Sequence, residues 1–266
     1  MGEQLGEGAF GAVFAACYSG QDVAIKLLTG SQALASRLSL ESHFIRRLRH
    51  PFVVDCLGVC SDPEGRDANG ALIGLAVVMQ RARHGSVLEV MRDPERRQML
   101  CSRGQWLLFL SQAASGYGHL HSRSLLHRDI KPSNLLVTEQ ARPLVADFGL
   151  ACAAGNAEAC GQGTIMYMAP ELLEHGVTSV QSDMYSYAGV MWFLASAAED
   201  SSHQSEPWDG MASQDIEDCV IAGERPIWPK KVQILSALER FRAVSPVLPC
   251  ALFLHMHLLL PLYPPS

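Results

Sequence analysis

Closely spaced cysteine pairs and a leading apolar stretch are both missing from this sequence. None of the eight cysteines forms a Cys-x-x-Cys pair, so neither a zinc site nor a dithiol redox motif is predicted. The first residues lack the apolar segment of a secretory signal, and a disulfide framework is not expected in a chain of 266 residues without one. These absences predict an intracellular, cytoplasmic and reducing environment.

Positive charge and long apolar runs are also scarce. The 21 Lys and Arg residues against 27 Asp and Glu residues give a net charge of -6. A nucleic-acid-binding protein usually has an excess of basic residues on one face, so no nucleic-acid partner is predicted. The apolar stretch at residues 247–263 is broken by two prolines and two histidines. Because a membrane helix needs about 20 apolar residues, a membrane anchor is not predicted either.

The periodicity of the sequence changes along the chain from strand-like to helical. Strands are predicted at residues 5–14, 23–26, 53–54 and 72–79, with a turn at 17–22 and a solvated loop at 61–70. Apolar residues at helical spacing predict helices at 33–49, 105–121 and 181–197. Strands with one helix, followed mainly by helices, predict an α+β fold with a small first lobe and a larger helical second lobe.

A glycine-rich segment lies near the start of the chain. Gly6, Gly8 and Gly11 would let the backbone approach a phosphate without a clash from Cβ atoms. A plain glycine hairpin is the alternative interpretation. A dinucleotide-binding fold would require a helix that starts at the third glycine, whereas Val13 and Phe14 continue a strand pattern.

The most informative stretch combines two carboxylates, a lysine and an asparagine. It consists of His127-Arg128-Asp129-Ile130-Lys131-Pro132-Ser133-Asn134 and, farther along the chain, Asp147-Phe148-Gly149. Mg²⁺ prefers oxygen ligands such as those of carboxylates, and the lysine adds a cation for phosphate. That Mg²⁺-ATP and a substrate hydroxyl meet at this stretch is what its resemblance to a known family implies.

These motifs resemble the signature set of the protein kinases. Two further strings support the resemblance: Val23-Ala24-Ile25-Lys26 and Gly163-Thr164-Ile165-Met166-Tyr167-Met168-Ala169-Pro170-Glu171. Within that family, Pro207-Trp208 and Gly223-Glu224-Arg225-Pro226 are most similar to the tyrosine-kinase-like group of serine/threonine kinases.

The resemblance extends over about residues 5–228 and implies a bilobal fold. The N-terminal lobe, residues 1–82, would be a small antiparallel sheet with one helix, and it would hold the glycine-rich loop and the hinge. The C-terminal lobe, residues 83–229, would be mainly helical, with the catalytic loop and the activation segment. Residues 230–266 form a divergent apolar tail.

The resemblance assigns the chemistry to four side chains. Asp129 would accept or orient the proton of the attacking hydroxyl, and Lys131 would neutralise the transferring phosphate. Lys26 would contact the α- and β-phosphates of ATP and pair with Glu41 on the predicted helix. The alternatives for these two are a surface lysine at a strand end and a glutamate on an exposed helix face.

The contacts with ATP follow from the same resemblance. Nucleotide binding is assigned to Leu5, Gly6, Gly8, Gly11, Val13, Ala24, Lys26, Gln80, Ala82 and Leu136. Val13, Ala24 and Leu136 would enclose the adenine ring, and backbone groups of the hinge, from Gln80 to Ala82, would hydrogen-bond it. The alternative is that these are ordinary core residues.

The implied activity is transfer of the γ-phosphate of ATP to serine or threonine hydroxyls of proteins. A lysine two positions after Asp129 is typical of serine/threonine kinases, and Thr164 would bond near Asp129 and Lys131. Asn134 and Asp147 would hold Mg²⁺ through oxygen atoms. A pseudokinase or scaffold without turnover remains open because residues 230–266 depart from the family pattern. A small-molecule phosphotransferase is the third hypothesis.

The segment between Leu150 and Gly163 contains no Ser, Thr or Tyr. Because a bound phosphate is a common way to order such a segment, we hypothesise that activity requires no phosphorylation there. Otherwise the phosphate would sit on Thr164 or Tyr167, or Glu158 would replace it.

Residues 230–266 also lack the arginine that would pair with Glu171 in the family. A buried glutamate without its partner would lower the stability of the helical lobe by several kcal/mol. Reduced stability is therefore expected, unless Arg225, Arg240 or Arg242 serves as the partner.

Overall fold

A computed structural model describes most of the first 227 residues of the chain. The described residues are 2–8, 11–29, 48–60, 73–101, 105–155, 163–199 and 206–227. Residues 33–47 of the predicted helix, with Glu41, lie outside this set, as do the predicted loop at 61–70, Glu158 and the tail at 230–266. The lobe boundaries after residues 82 and 229 stay predictions.

The first part of the chain forms an antiparallel sheet. Its strands are β1 (Gln4–Gly8), β2 (Gly11–Tyr18), β3 (Gln21–Thr29), β4 (Cys56–Cys60) and β5 (Ile73–Gln80), in the order β1-β2-β3-β5-β4. The strand expected at residues 23–26 lies inside β3, which confirms it. The glycine-rich segment also continues as a strand after Gly11, as expected.

The turn predicted at residues 17–22 is wrong in extent. Strand β2 continues to Tyr18 and β3 begins at Gln21, so only two residues connect them. Ser19 and Gly20 both have positive φ, 50° and 78°. Positive φ at both central residues is the geometry of a tight hairpin turn, whose twist matches the flanking strands. The ladder between β2 and β3 therefore includes residues that looked like loop in the sequence.

The second part of the chain is mainly helical. Its helices are α1 (Val87–Arg92), α2 (Pro94–Cys101), α3 (Gln105–His121), α4 (Pro170–His175), α5 (Val180–Glu199) and α6 (Ser213–Ile221). Short strands pair as β6 (Leu125–Leu126) with β9 (Cys152–Ala153), and β7 (Leu135–Val137) with β8 (Pro143–Val145). Helix α3 has the predicted bounds, and α5 extends the predicted 181–197 at both ends. The α+β architecture is confirmed.

Helices α1, α2, α4 and α6 were not predicted, although the sequence contains a signal for the first. Ser86 accepts a hydrogen bond from the Glu89 backbone N–H, and the Glu89 carboxylate accepts one from the Ser86 backbone N–H. This reciprocal capping box satisfies backbone donors at the start of α1, and its Ser-x-x-Glu pattern is visible in the sequence.

The segment at residues 53–54 is buried as predicted but is not a strand. Val53 and Val54 are only 2% and 1% exposed. Val53 forms a single parallel bridge with Val145, and the Val54 N–H donates to the Val145 carbonyl. These contacts hold residues 53–54 against β8, so the segment is a buried connection and not a strand of a sheet.

Helices α3 and α5 contribute the largest buried side chains of the helical lobe. Phe109 and Tyr117 on α3 pack in one core cluster with Tyr187 and Phe193 on α5. Among the described residues, no helix is both long enough and apolar enough to cross a membrane. The cysteines in this part of the chain carry free thiols; the location of the protein in the cell stays a prediction.

Candidate active site

Helix α5 holds the loop at residues 127–134 through one buried carboxylate. The backbone N–H groups of His127 and Arg128 each donate to Asp183 at 2.8 Å, and the His121 ring bonds the same carboxylate at 2.8 Å. Asp183 is 2% exposed. Arg128 has a φ of 69°, a strained value for a residue with a side chain. The charge-assisted hydrogen bonds to Asp183 offset this strain.

Asp129 lies at the centre of a polar cluster. The Lys131 ammonium is 2.8 Å from its Oδ2, and the Asn134 amide donates to the same oxygen at 2.8 Å. The Thr164 hydroxyl donates to Oδ1 at 3.2 Å and accepts from the Lys131 ammonium at 2.9 Å. The cluster fixes the direction of the Asp129 carboxylate and places a cation beside it.

The hairpin of β7 and β8 places Asn134 and Asp147 at its base. Leu135 pairs with Val145, and the Ala146 N–H donates to the Asn134 carbonyl at 3.0 Å. Asn134 therefore precedes one strand of the hairpin, and Asp147 follows the other. Asp147 has a φ of 61°, a second strained backbone at this site.

An ion pair joins this hairpin to the sheet. The Lys26 Nζ lies 2.6 Å from the Asp147 Oδ1, with side chains that are 10% and 35% exposed. Burial raises the pKa of Asp147, but the Lys26 ammonium and its hydrogen bond, the nearby His127 and a backbone hydrogen bond from Gly149 together lower it below its ordinary value. Asp147 is therefore ionised near neutral pH.

The strand register puts further predicted residues on the same face of the sheet as Lys26. Val13 on β2 lies opposite Lys26, and Met79 on β5 lies opposite Ala24. Directly opposed residues share a face, as do residues two positions apart on one strand. The structure thus brings the predicted residues Val13 and Ala24 to the face from which Lys26 reaches Asp147, and Met79 lies on the same face.

The other predicted nucleotide contacts lie on β1, on β7 and at the tip of the β1–β2 hairpin. Leu5 and Gly6 are on β1, and Gly8 pairs with Gly11 at the tip of the β1–β2 hairpin. Leu136 lies on β7. Their proximity to a nucleotide stays a prediction.

The backbone of the predicted hinge is partly engaged within the chain. The Gln80 N–H donates to the Asp55 carbonyl at 2.9 Å, and the Ala82 carbonyl accepts from the Gly85 N–H at 3.2 Å. Contact of this segment with adenine stays a prediction.

The donor set at the hairpin base fits Mg²⁺. Asn134 supplies an amide oxygen and Asp147 a carboxylate, and a hard cation prefers such oxygen ligands. Among the described residues, no group of three His, Cys, Asp or Glu side chains could hold a metal. Mg²⁺ commonly binds one or two protein side chains together with substrate phosphates and water, so these two side chains suffice.

The structure bears on two alternatives raised by the sequence. Tyr167 is 3% exposed and its hydroxyl donates to Glu206, so a phosphate on Tyr167 would require the side chain to leave its site. The Arg225 guanidinium donates to the carbonyls of Val220 and Glu224. Within the described ranges it forms no ion pair with Glu171, so Arg225 does not take the place of the family's arginine there.

Two residues near the site were missed. Glu206 accepts the hydrogen bond from Tyr167 at 3.0 Å, and Arg92 at the end of α1 lies 3.6 Å from the other Glu206 oxygen. Glu206 follows Tyr167 by 39 positions, and no local motif links them. Only the folded chain reveals the contact.

The chain is similar to known protein kinases. A family profile described as protein tyrosine and serine/threonine kinase matches residues 1–239. The chain is 32% identical over 225 residues to the megakaryocyte-associated tyrosine-protein kinase of Mus musculus, with 85% of this chain and 41% of the relative covered. It is 32% identical over 251 residues to the probable serine/threonine-protein kinase drkD of Dictyostelium discoideum, with 89% and 18% covered.

A plant relative extends the comparison. The chain is 30% identical over 217 residues to the serine/threonine-protein kinase CTR1 of Arabidopsis thaliana, with 79% of this chain and 24% of the relative covered. The chain thus spans less than half the length of these three relatives.

Proposed function

This chain belongs to the protein tyrosine and serine/threonine kinase family, and from that premise we propose that it transfers the γ-phosphate of ATP to serine and threonine hydroxyls of proteins. The observation that carries the proposal is the 2.6 Å contact between the Lys26 Nζ and the Asp147 Oδ1. The contact joins a cation on the sheet to a carboxylate beside the loop of Asp129. A nucleotide bound beside this pair would have its phosphates at the site of transfer.

The sheet provides the binding surface for ATP. Val13, Ala24 and Leu136 enclose the adenine ring, while the hairpin of Gly8 and Gly11 covers the phosphates, together with the adjoining residues of β1. The Lys26 ammonium contacts the α- and β-phosphates, since a lysine acts as a point charge toward phosphate. Its present partner, Asp147, shows that the ammonium is directed toward the hairpin base.

The transfer step uses Asp129 and Lys131. The Asp129 carboxylate takes the proton of the substrate hydroxyl while the hydroxyl oxygen bonds to the γ-phosphorus. The bond from that phosphorus to the β–γ bridging oxygen breaks, and ADP leaves with the electron pair. Lys131 neutralises negative charge on the phosphoryl group, as supported by its position 2.8 Å from Asp129.

Asn134 and Asp147 hold Mg²⁺ in this proposal. The bound ion neutralises negative charge on the phosphate oxygens. The lowered pKa of Asp147 supports the assignment, because a carboxyl group must be ionised to act as a ligand.

Serine and threonine are the proposed acceptors. The Lys131 ammonium bonds both the Thr164 hydroxyl and the Asp129 carboxylate, so a compact polar group lies beside the proposed base. The relatives include both serine/threonine and tyrosine kinases, which agrees with the tyrosine-kinase-like group. Acid hydrolysis of a phosphorylated acceptor protein tests the proposal. Phosphoserine and phosphothreonine are expected; phosphotyrosine as the main product would overturn it.

Catalysis itself is tested against a scaffold role. The chain is incubated with γ-labelled ATP, Mg²⁺ and a basic acceptor protein, beside the Asp129→Ala variant. Label in the acceptor with the natural chain but not with the variant supports the kinase. Nucleotide binding without transfer in either protein would favour the pseudokinase or scaffold.

A further inference from the structure

The segment at residues 163–168 is held by the contacts of one residue, Tyr167, with helix α5 and with Glu206. Tyr167 is almost fully buried, and its ring lies against Gly189 so closely that a Cβ there would be 2.7 Å from a ring carbon. The Tyr167 carbonyl accepts a hydrogen bond from the Ser186 hydroxyl at 2.7 Å. The Tyr167 hydroxyl donates to Glu206 at 3.0 Å. Each part of the residue therefore has a defined partner.

Tyr167 is connected to the proposed catalytic group through one short turn. Its backbone N–H donates to the Thr164 carbonyl at 2.9 Å, which closes the turn between them. The Thr164 hydroxyl in turn donates to Asp129. Helix α5 also holds the loop of Asp129 through Asp183. Both sides of the Thr164–Asp129 contact are thus fixed to the same helix.

From these contacts we propose that Tyr167 and Glu206 are positioning residues, whose hydrogen bond holds Thr164 against Asp129. The inference rests on the proposed kinase function. Neither residue touches the reacting atoms; they act through the turn that ends at Thr164. Glu206 lies beyond the end of α5, so it fixes the hydroxyl end of Tyr167, while Gly189 and Ser186 fix the ring and the backbone.

The charges around the hydrogen bond favour this orientation. Burial and the Glu206 carboxylate both raise the pKa of Tyr167, so the phenol stays protonated and remains a donor. Arg92 is the second partner of Glu206, but its nitrogen is 3.6 Å away and its side chain is 57% exposed. Exposed ion pairs contribute little, so the hydrogen bond between Tyr167 and Glu206 should persist when Arg92 is replaced.

The kinetic test compares variants that remove one group each. Tyr167→Phe and Glu206→Ala should each lower kcat/KM for the protein acceptor by about fivefold, the value of one hydrogen bond, with the KM for ATP unchanged. The double variant should show the same loss as either single variant, because the bond is lost only once. Glu206→Gln, whose amide oxygen still accepts, and Arg92→Gln should stay within about twofold of the natural chain.

Tyr187→Phe is the matched control. The Tyr187 hydroxyl donates to the Leu110 carbonyl in the core, so its loss also removes one buried tyrosine hydrogen bond, but away from residues 163–168. This variant should keep its kcat/KM. A similar loss in the control would assign the effect to general destabilisation and overturn the proposal. So would losses that add in the double variant, or natural activity in Tyr167→Phe.

Amide hydrogen exchange gives a readout that does not need catalysis. The N–H groups of Tyr167 and Met168 close the turn through the carbonyls of Thr164 and Ile165. Their exchange should become faster in Tyr167→Phe and Glu206→Ala, and not in Tyr187→Phe. If the natural chain transfers no phosphate, the proposed function fails. The amide exchange of Tyr167 and Met168 then tests by itself whether the hydrogen bond between Tyr167 and Glu206 holds the turn. Unchanged exchange at these two amides would overturn it.

Discussion

The Lys26 Nζ and the Asp147 Oδ1 lie 2.6 Å apart although the two residues are separated by 121 positions in the sequence. One is on a central strand of the sheet, and the other follows the β7–β8 hairpin of the helical lobe. The pair fixes the distance between the two groups proposed to handle ATP phosphates and Mg²⁺. It also makes the protonation of Asp147 depend on a residue of the other lobe.

The first prediction concerns removal of this cation. In Lys26→Met the pKa of Asp147 should rise, and the chain should lose about 1–3 kcal/mol of stability at pH 7, less than for a fully buried pair because Asp147 is partly exposed. A carboxyl whose pKa is lowered by folding stabilises the fold above its unfolded pKa and loses that effect as the pH falls through the folded value. Urea unfolding at pH 7 and below about pH 4 measures this.

The same experiment contains its own control. Because Lys26→Met removes the largest of the interactions that lower the pKa of Asp147, the difference in stability between the natural chain and the variant should shrink as the pH falls. A difference that is constant from neutral to acidic pH would mean that the ion pair does not set the pKa of Asp147.

The second prediction concerns a buried hydroxyl group. Tyr117 is fully buried, and its hydroxyl has no hydrogen-bond partner among the described residues. Removing an unsatisfied buried polar atom should be favourable, so Tyr117→Phe should raise the free energy of unfolding by about 1 kcal/mol. Tyr187→Phe, which loses a bond to the Leu110 carbonyl, should lower it by about the same amount. Chemical denaturation checks both; a less stable Tyr117→Phe would contradict the prediction.

The third prediction compares two glycines on α3. A Cβ at Gly118 would meet nothing within 4 Å, whereas one at Gly116 would lie 2.7 Å from the Phe52 carbonyl oxygen. Gly118→Ala should therefore stabilise the helix by about 1 kcal/mol through its better helix propensity. Gly116→Ala should destabilise by about 1–3 kcal/mol, because backbone must move to make room. Thermal unfolding of the two variants should give shifts of opposite sign, and shifts of the same sign would count against the packing described.

The fourth prediction concerns pH. The rings of His50 and His119 are stacked with centroids 4.8 Å apart. Burial lowers the pKa of both histidines. The neighbouring His119 lowers the pKa of His50 further, and the neighbouring Arg123 lowers the pKa of His119 further. The unfolded chain therefore binds more protons than the folded one just below about pH 6.5, and stability should fall as the pH decreases through that range.

A double variant, His50→Gln with His119→Gln, isolates the contribution of the stacked pair. Its loss of stability between pH 7.5 and pH 5.5 should be smaller than that of the natural chain. If the two proteins lose equal stability over this interval, the stacked pair does not contribute to the pH dependence.

Local signals in the sequence were sufficient where the structure is determined locally. The motifs around Asp129 and Asp147 identified the family because their chemistry lies in short strings. Helix α3 followed from the spacing of its apolar residues. The capping box of Ser86 and Glu89 was equally visible and would have predicted α1.

Features that depend on distant contacts could not be predicted in this way. Val53 belongs to an apolar pair that looked like a buried strand, but among the described residues its bridge partner is Val145, far along the chain. The hydrogen bond from Tyr167 to Glu206 could not be predicted, because no local sequence pattern links a tyrosine to a glutamate 39 positions away. Tertiary packing decides both cases.

The central claim is that Asp129 is the base of a phosphoryl transfer. The most direct measurement is the rate of γ-phosphate transfer from Mg²⁺-ATP to a protein acceptor by the natural chain and by Asp129→Asn, with ATP affinity measured in parallel. We expect the variant to bind ATP as well as the natural chain and to transfer phosphate about 10²–10⁴ times more slowly. Equal transfer rates for the two proteins would contradict the claim.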